Sequence, residues 1–322
     1  MNTGLPVALA AVLLAHAVAA GAQDAWPAKP IRLVIPFPPG GINDSTARNL
    51  NARLPALLGQ NLFIDYLPGA SGNLGAEHVA KSPADGYTLL VANNSITTNA
   101  SLYRRLPYDP FRDFAPVAMG ATAPGIVSVH PSLPAKSIRD LVALAKTRPG
   151  IITYGSAGTG TPTHLASELF RARTGANMLH VPYKGGGPLI IALVGGEAMI
   201  SFNSPITSRP HIEAGKLRAP AVTTERRWSG MPHLPTVAES GYPGFDSFAW
   251  IAYFAPAGTP RAIVDRFNAA VNRAQQAPEI RERFTEQGME PGSGDADGFA
   301  VFLKSNFALW DRLIRDQRIE IE

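Results

Sequence analysis

The first group of residues suited to binding chemistry is a loop rich in proline and glycine, between a strand-like run and a helix-like run. The apolar run 31–36 leads into the loop 36–41 (Pro-Phe-Pro-Pro-Gly-Gly), and Ile42-Asn43-Asp44-Ser45 follows. Three prolines stiffen this loop, while two glycines permit a positive φ and close approach of a ligand. Backbone N–H groups at the helix start can then face an anion such as a carboxylate. Asn43 or Asp44 can equally be the helix cap.

A second loop of the same kind follows the apolar run 151–154. Residues 155–164 read Gly-Ser-Ala-Gly-Thr-Gly-Thr-Pro-Thr-His, so hydrogen-bond donors again cluster where a helix begins. The hydroxyl groups of Ser156, Thr159 and Thr161 suit an uncharged site for carboxylate oxygens. A glycine turn with an ordinary threonine cap explains the same residues without a ligand. Two such loops on two domains would together form a clamp.

Neither loop has the residue order of a nucleotide-binding or hydrolase motif. The glycines at 155, 158 and 160 read G-x-x-G-x-G, and Lys184 is followed by three glycines rather than by the ending of a phosphate-binding loop. Tyr154 stands where a nucleophile elbow around Ser156 would need its first glycine. His164 is more simply a helix-surface or core residue than a catalytic base. A secreted serine hydrolase that uses Ser156 with a distant histidine stays open as an alternative.

Cysteine usage, histidine spacing and charge exclude several other classes of protein. The 322 residues contain no cysteine, which excludes thiolate metal sites, a cysteine nucleophile, disulfides and a lipid-modified cysteine. Seven histidines lack the spacing of metal ligands. The formal charge of +4 is spread out, without the basic runs of nucleic-acid binders. We therefore expect no metal site, no cofactor and no nucleic-acid partner.

The elements that must position the two loops alternate between strand-like and helix-like runs. Such an alternation predicts an α/β fold with mostly parallel sheets flanked by helices. Two helices are predicted to begin at Thr161-Pro162 and at Thr259-Pro260, where a capping hydroxyl precedes a proline. The alternating runs are 31–36, 45–58, 87–92, 137–146 and 151–154.

The length of the chain favours two domains, because a single core rarely extends beyond about 250 to 300 residues. No low-complexity linker separates independent modules, so two lobes would have to share the chain. The stretches 115–130 and 244–256, rich in small and β-prone residues, are candidates for two crossing hinge segments. Both can equally be ordinary strands within one domain.

The N-terminal segment is predicted to be a signal peptide. Residues 1–22 contain no Lys, Arg, Asp or Glu, and residues 5–20 are apolar apart from His16. This run is short for a membrane-spanning helix, and Ala20-Gly21-Ala22 matches the small-x-small pattern of a cleavage site. We expect cleavage before Gln23 and export to the periplasm. A buried N-terminal helix is the alternative.

Motifs along nearly the whole mature chain resemble those of the Bug-type periplasmic solute-binding proteins, the receptor components of tripartite tricarboxylate transporters. The matching segments are Trp26-Pro27, 29–32, 36–41, 68–73, 85–90, 106–110, 131–137, 154–156, 180–185, 214–218 and 255–260. The resemblance implies a two-lobe type II periplasmic-binding-protein fold that closes on a small carboxylate without catalysis or cofactor. It also implies delivery of that ligand to integral-membrane transporter subunits. A ligand sensor that feeds a membrane kinase is a further alternative.

The resemblance assigns domains and binding residues. It implies lobe 1 at 23–124 and 250–322, lobe 2 at 125–249, and a monomer. Backbone amides of the first loop would hold the ligand carboxylate, assisted by polar groups after the third apolar run and by the opposing loop. The implied ligand-binding residues are Phe37, Pro38, Gly40, Gly41, Asp44, Asn94, Ser95, Ser156, Gly158, Thr159, Thr161 and Asn203.

This chain departs from the family pattern at a few positions that concern the ligand. Relatives commonly carry an acidic residue where this chain has Asn203, and E-N-R where it reads Asp65-Tyr66-Leu67. Pro220 also replaces a small or aliphatic residue. A buried ammonium needs a carboxylate partner, which an amide replaces poorly. We therefore predict an organic anion that lacks a protonated amine.

Overall fold

The computed structural model describes residues 26–316 and residue 319. The predicted signal peptide, residues 1–22, lies outside the described residues. The strands are β1 (Ile31–Ile35), β2 (Leu62–Tyr66), β3 (Thr88–Asn93), β4 (Phe114–Pro124), β5 (Ile126–Val129), β6 (Thr153–Ser156), β7 (Leu179–Pro182), β8 (Ile200–Asn203), β9 (Arg218–Val222), β10 (Phe248–Pro256) and β11 (Glu290–Pro291). The helices are α1 (Ile42–Asn51), α2 (Leu54–Leu58), α3 (Asn73–Ala80), α4 (Ser95–Leu102), α5 (Ile138–Thr147), α6 (Pro162–Thr174), α7 (Gly186–Gly195), α8 (Pro205–Glu213), α9 (Arg261–Gln275), α10 (Pro278–Glu286) and α11 (Ala296–Asp316).

The first sheet has the strand order β11-β4-β10-β3-β1-β2 and is covered by helices on both faces. Strand β1 is parallel to β2 and β3, whereas β10 is antiparallel to β3 and β4. Successive side chains of a strand point to opposite faces. Leu33 accordingly packs in a core with α1 and α9, while Val34 packs in a second core with α3 and α11.

The second sheet has the order β7-β6-β8-β5-β9. Strand β6 is parallel to β7 and β8, and β5 is antiparallel to β8 and β9. Helix α5 begins with a capping box between Ser137 and Asp140 and buries one apolar face in the core of this sheet. The predicted α/β fold of two sheets flanked by helices is confirmed, but the prediction that the sheets are mostly parallel is wrong, because four of the strand pairings in the described residues are parallel and five are antiparallel. Each sheet mixes parallel βαβ pairs with antiparallel pairs that involve β4, β5 and β10.

The chain passes between the sheets at two adjacent positions. Strand β4 leads through Gly125 directly into β5, and the return path runs from Thr223, after β9, to Ser247, before β10. Both predicted hinge segments contain one of these positions. Thr223 joins them, because its Oγ1 accepts from the Gly125 N–H at 2.8 Å and donates to the Ser247 carbonyl at 2.5 Å. The domain bounds given above stay a prediction.

We expect the substitution Thr223→Val to lower the free energy of unfolding by about 2 to 4 kcal/mol, because it removes both hydrogen bonds at the crossing without changing the side-chain volume. A urea titration measures the loss. The matched control is Thr97→Val, since the buried Thr97 hydroxyl donates to the Asn94 carbonyl, which also accepts from a backbone N–H. The control should lose less than about 1 kcal/mol. Equal losses in the two variants would contradict this role of Thr223.

Among residues 26–316, no helix combines the length and the apolar character that crossing a lipid bilayer requires.

Candidate functional site

A cavity lies between the two sheets, beside the crossing strands. The first sheet contributes the loop after β1 and the end of β3, and the second contributes the loops after β6, β7 and β8. The lining residues are Phe37, Pro38, Gly41, Ile42, Asn43, Asn93, Pro124, Gly125, Ala157, Thr161, Pro162, Thr163, Ala166, Gly185, Gly186, Phe202, Asn203, Ser204, Thr207, Thr223, Ser247, Phe248 and Ala249. In open α/β sheets, ligands bind at such strand ends.

Four helices begin at this cavity. The residues that precede their first turns are Gly41 for α1, Thr161 for α6, Gly185 for α7 and Ser204 for α8. At none of these four positions does a side chain cap the helix. The first N–H groups of a helix have no partner within it and carry a partial positive charge. The four helix starts therefore create a region of positive potential that favours an anion.

No residue in the lining set carries a formal charge. The polar lining residues are asparagines, serines and threonines, and the largest apolar ones are Phe37, Phe202 and Phe248. An anion bound here would be held by backbone and neutral side-chain donors rather than by a salt bridge. The phenyl rings and prolines would contact the hydrocarbon part of such a ligand.

Five of the twelve predicted binding residues line this cavity, namely Phe37, Pro38, Gly41, Thr161 and Asn203. Gly158 and Thr159 line an adjoining outer cavity, which also includes Phe37 and Pro38. The other five predicted residues, Gly40, Asp44, Asn94, Ser95 and Ser156, line neither cavity.

Asp44 lies behind the first loop and holds it in place. Its carboxylate accepts hydrogen bonds from the Gly40 N–H at 2.9 Å, from Arg48 Nε at 2.8 Å and from the Tyr66 hydroxyl at 2.6 Å. Burial, together with the hydrogen bond to Asp44, raises the pKa of Tyr66. All of these partners belong to the first sheet and its helices, so Asp44 positions the backbone of the loop instead of facing the cavity.

The polar wall on the first-sheet side is formed by Asn93 and Asn43. Asn93 Nδ2 donates to Asn43 Oδ1 at 3.0 Å, and Asn43 Nδ2 donates to the Val91 carbonyl at 3.0 Å. The predicted residue Asn94 instead accepts from the Trp250 N–H at 3.0 Å and so fixes β10. Asn93 rather than Asn94 therefore lines the cavity. The position of Asn93 at the carboxyl end of a parallel strand could have indicated it.

The second loop is held from behind by two histidines. Ser156 Oγ lies 2.6 Å from His180 Nε2, and the Gly160 N–H donates to His164 Nδ1 at 3.1 Å. The two imidazole rings are stacked with their centroids 4.2 Å apart. Ser156 is fully buried, so its hydroxyl supports the loop rather than facing the cavity. The sequence indicates this role for neither histidine, because His180 is 24 residues away from Ser156 and the position of His164 is equally that of an ordinary helix residue.

A buried carboxylate completes this support. Glu168 accepts hydrogen bonds from the Tyr154 hydroxyl and from Arg171 Nη1, the latter at 2.7 and 2.9 Å. Burial, and secondarily the charge of Arg171, lowers the pKa of His164 to about 4. Burial, and secondarily His164, lowers the pKa of His180 to about 3. Both imidazoles are therefore neutral near pH 7, which leaves His164 Nδ1 free to accept from the loop.

At the second loop, the part of the molecule built on the first sheet contacts the part built on the second sheet. Thr98 Oγ1, on α4, donates to the Gly160 carbonyl at 2.9 Å. Nearby, Leu102 of α4 packs with Leu165 of α6 and Trp310 of α11 in one apolar cluster. Gly160 has a φ of +79°, and a Cβ atom there would overlap Asn99 and lie 2.9 Å from Leu102 Cδ1. Any other residue type at this position would therefore require the Asn99 and Leu102 side chains to move, in addition to adopting a positive φ.

Within the described part of the chain, no three or more His, Asp or Glu side chains are grouped so that they could hold a metal ion.

The sequence matches the profile of the tripartite tricarboxylate transporter family receptor over residues 46–319. The chain belongs to this family. Protein BugT of Bordetella pertussis is 36% identical over 320 residues, which cover 98% of each chain. The structure of R. palustris Rpa4515 with adipate shares 38% identity, covers 92% of this chain and 100% of that chain, and has a TM-score of 0.88. MatC from Rhodopseudomonas palustris with bound malate shares 29% identity, covers 90% of this chain and all of the other, and has a TM-score of 0.85.

Membership in the tripartite tricarboxylate transporter receptor family makes this chain a solute-binding receptor with a transport role. Receptors of this family are periplasmic, in agreement with the predicted export. The family identified from the sequence motifs is confirmed. Four helices begin at the cavity between the two sheets, so it is the candidate for the solute.

Proposed function

We propose that this receptor captures a small organic carboxylate in the cavity between the two sheets and delivers it to the membrane subunits of a tripartite tricarboxylate-type transporter. The observation that carries the proposal is the convergence of four uncapped helix starts on a cavity without charged side chains. Such a site favours an anion and offers no counterion for an ammonium group. The relatives solved with adipate and malate support the same class of ligand.

The available interactions suffice for a functional affinity. A carboxylate at a helix start gains about 0.3 to 1 kcal/mol, and up to about 2 kcal/mol when partly buried. Each charge-assisted hydrogen bond adds roughly 1.5 to 3 kcal/mol. A few such bonds, together with burial of the hydrocarbon chain, can reach the roughly 8 kcal/mol of micromolar binding after the ordering costs.

A thermal-shift panel tests the ligand class. The panel compares adipate, malate and citrate with adipamide, which has no charge, and with common amino acids. At roughly 100 times its Kd, a ligand stabilises the protein by about 2.7 kcal/mol, which raises Tm by about 5 to 10 °C. We expect such a shift from one or more of the carboxylates and none from adipamide. A shift caused only by adipamide or by amino acids would contradict the proposal.

We further propose that the protein performs no catalysis. Ser156, the nucleophile of the hydrolase alternative, is fully buried, and its partner His180 carries no hydrogen bond to a carboxylate within the described residues. Glu168 instead bonds to Tyr154 and Arg171. The comparisons give no support to the hydrolase or to the sensor alternative.

The remaining proposals concern the mature protein. We propose that the signal peptide is removed near Ala22 and Gln23, and that the protein acts as a monomer with no nucleic-acid partner. We also propose that residues 23–124 and 250–322 form one lobe and residues 125–249 the other. The two adjacent chain crossings at Gly125 and Ser247 support a hinge between such lobes.

A further inference from the structure

The outer cavity is a second space to which the proposed function assigns no role. It is bounded by the segment 68–72 on the first-sheet side and by the segments 157–159 and 182–185 on the second-sheet side. It shares Phe37 and Pro38 with the cavity between the two sheets, which we call the inner cavity. The volume is about 550 Å³ for the outer cavity and about 70 Å³ for the inner one. Since ligand pockets commonly have roughly 300 to 1,000 Å³, most of the space open to a longer ligand lies in the outer cavity.

The first-sheet boundary of the outer cavity has a strained backbone. Ala70 and Ser71 have φ values of +47° and +53°, a region that residues other than glycine rarely adopt and that is enriched at functional sites. The Tyr103 hydroxyl donates to the Ala70 carbonyl at 3.4 Å, and Asn99 Nδ2 donates to the Ser71 carbonyl at 3.3 Å. Ser71 Oγ lies 3.2 Å from the position that a Cβ atom on Gly158 would take. The strained segment thus places the Ser71 hydroxyl opposite the second loop.

Side chains that line the outer cavity carry donors without a protein partner. No described residue forms a hydrogen bond with the Lys184 ammonium or with the side-chain hydroxyls of Ser71, Thr159 and Tyr183. Burial, and secondarily the charge of Glu197, raises the pKa of Tyr183, so its hydroxyl stays protonated near pH 7. Glu197 itself lines neither cavity, and among the described lining residues of the outer cavity Lys184 alone carries a formal charge. The outer cavity therefore favours an anionic group that bears oxygen atoms.

We propose that the outer cavity is a second binding subsite, in which Lys184 and the neighbouring hydroxyls hold the remote carboxylate of a long dicarboxylate. The other carboxylate of the ligand lies at the four helix starts of the inner cavity. The hydrocarbon chain passes Phe37 and Pro38, because these residues belong to both cavities. The inference rests on the proposed carboxylate-binding function and makes it more specific.

Two ligands of equal length measure the contribution of the remote charge. Suberate has a carboxylate at each end, whereas its monoamide has one carboxylate and one neutral amide. The monoamide should place its carboxylate in the inner cavity, because an anion gains most from the helix starts. Lys184→Met removes the ammonium group and keeps most of the length of the side chain. Isothermal titration calorimetry measures both ligands with the native protein and with this variant.

We expect the native protein to bind suberate about 10-fold more tightly than the monoamide. A factor of about five comes from the partly exposed ion pair with Lys184, and a factor of two arises because either end of suberate can enter the inner cavity. Lys184→Met should reduce the preference to about 2-fold while the affinity for the monoamide changes little. The control is Lys216→Met, because Lys216 is also exposed and lines neither cavity. Its preference should equal that of the native protein.

Three outcomes would contradict these expectations. The same preference in the native protein and in Lys184→Met would overturn the second subsite while leaving the proposed function intact. Binding of adipate but not of suberate would mean that the ligand ends within the inner cavity, and would also overturn the subsite. Failure of the native protein to bind any carboxylate would overturn the proposed function itself. If the Tm of Lys184→Met without ligand is lowered, Lys184→Gln takes its place.

Discussion

A single methyl group at position 160 should weaken ligand binding by about 10-fold while leaving the protein folded. Gly160→Ala places a Cβ atom where Asn99 and Leu102 of α4 lie, and the residue already has a φ of +79°. The loop that carries Gly160 belongs to the second sheet, whereas α4 belongs to the first. The Asn99 and Leu102 side chains or the loop itself must therefore move, which weakens the contact between the loop and α4 and the hydrogen bond from Thr98 to the Gly160 carbonyl.

The control for this variant is Gly59→Ala. Gly59 has nearly the same φ, +80°, but a Cβ atom there meets nothing within 4 Å. Both variants pay the cost of a left-handed alanine, about 1 kcal/mol, so a difference in ligand affinity reports the contact with α4. Calorimetry with the tightest carboxylate measures that difference, and small-angle scattering at saturating ligand measures the radius of gyration. Binding by Gly160→Ala within about 3-fold of Gly59→Ala would show that this contact does not control closure.

Acid should destabilise the protein strongly between pH 6.5 and pH 4, through the two stacked histidines. An unfolded chain protonates His164 near its ordinary pKa of 6.5, whereas burial holds the pKa of the folded residue at about 4. The unfolded state thus binds more protons in this window, and stability falls as the pH falls. His164 alone accounts for roughly 3 kcal/mol by pH 4. His180, with a pKa of about 3 in the folded state, acts in the same direction.

The charged groups around His164 and His180 do not cancel this loss of stability at acid pH. Glu168 would favour a protonated imidazole, but its carboxylate already bonds to Tyr154 and Arg171, and Arg171 opposes protonation. Protonation of His164 Nδ1 would also break its hydrogen bond from the Gly160 N–H.

Urea titrations from pH 7 to pH 4.5 measure this dependence. The variant His164→Asn with His180→Gln keeps an oxygen near Nδ1 of His164 and an amide near Nε2 of His180, but neither group titrates. Its stability should depend less steeply on pH than that of the native protein. The exposed His233, replaced by Asn, is the control and should leave the slope unchanged. Parallel slopes in the native protein and the double variant would contradict the argument.

The local parts of the fold were predictable from the sequence because they depend on residues close in the chain. The alternation of apolar and amphipathic runs predicted the α/β class, and Thr161-Pro162 predicted the start of α6, which begins at Pro162. The predicted threonine caps are wrong, because the Thr161 hydroxyl donates to the Gly158 carbonyl and α9 begins at Arg261, after Pro260. The stretches 115–130 and 244–256 were proposed as hinge segments, and the chain crosses between the sheets within both of them. The antiparallel pairing of β10 with β4 joins residues more than a hundred positions apart, so no local pattern indicated it.

The candidate site was predicted less well, because the choice between neighbouring residues depends on the tertiary structure. Asp44 and Asn43 both follow the first loop, and only the positions of Tyr66 and Arg48 show that the carboxylate faces away from the cavity. Asn93 and Asn94 likewise differ in the direction of a side chain at a strand end. Residues of both predicted loops line the cavity, and glycine and proline spacing, which indicated these loops, is a local property.

The absence of charged side chains from the cavity lining has a consequence for turnover. A receptor must release its cargo as well as hold it. If a lysine or arginine neutralised the cargo, departure would leave a buried charge without its partner, at a cost of about 3 to 5 kcal/mol. Here the donors are backbone and amide groups at helix starts, which water can satisfy as soon as the cleft opens. The ligand-free receptor therefore carries no large free-energy penalty, and transfer of the ligand to the membrane subunits does not require the loss of a buried ion pair.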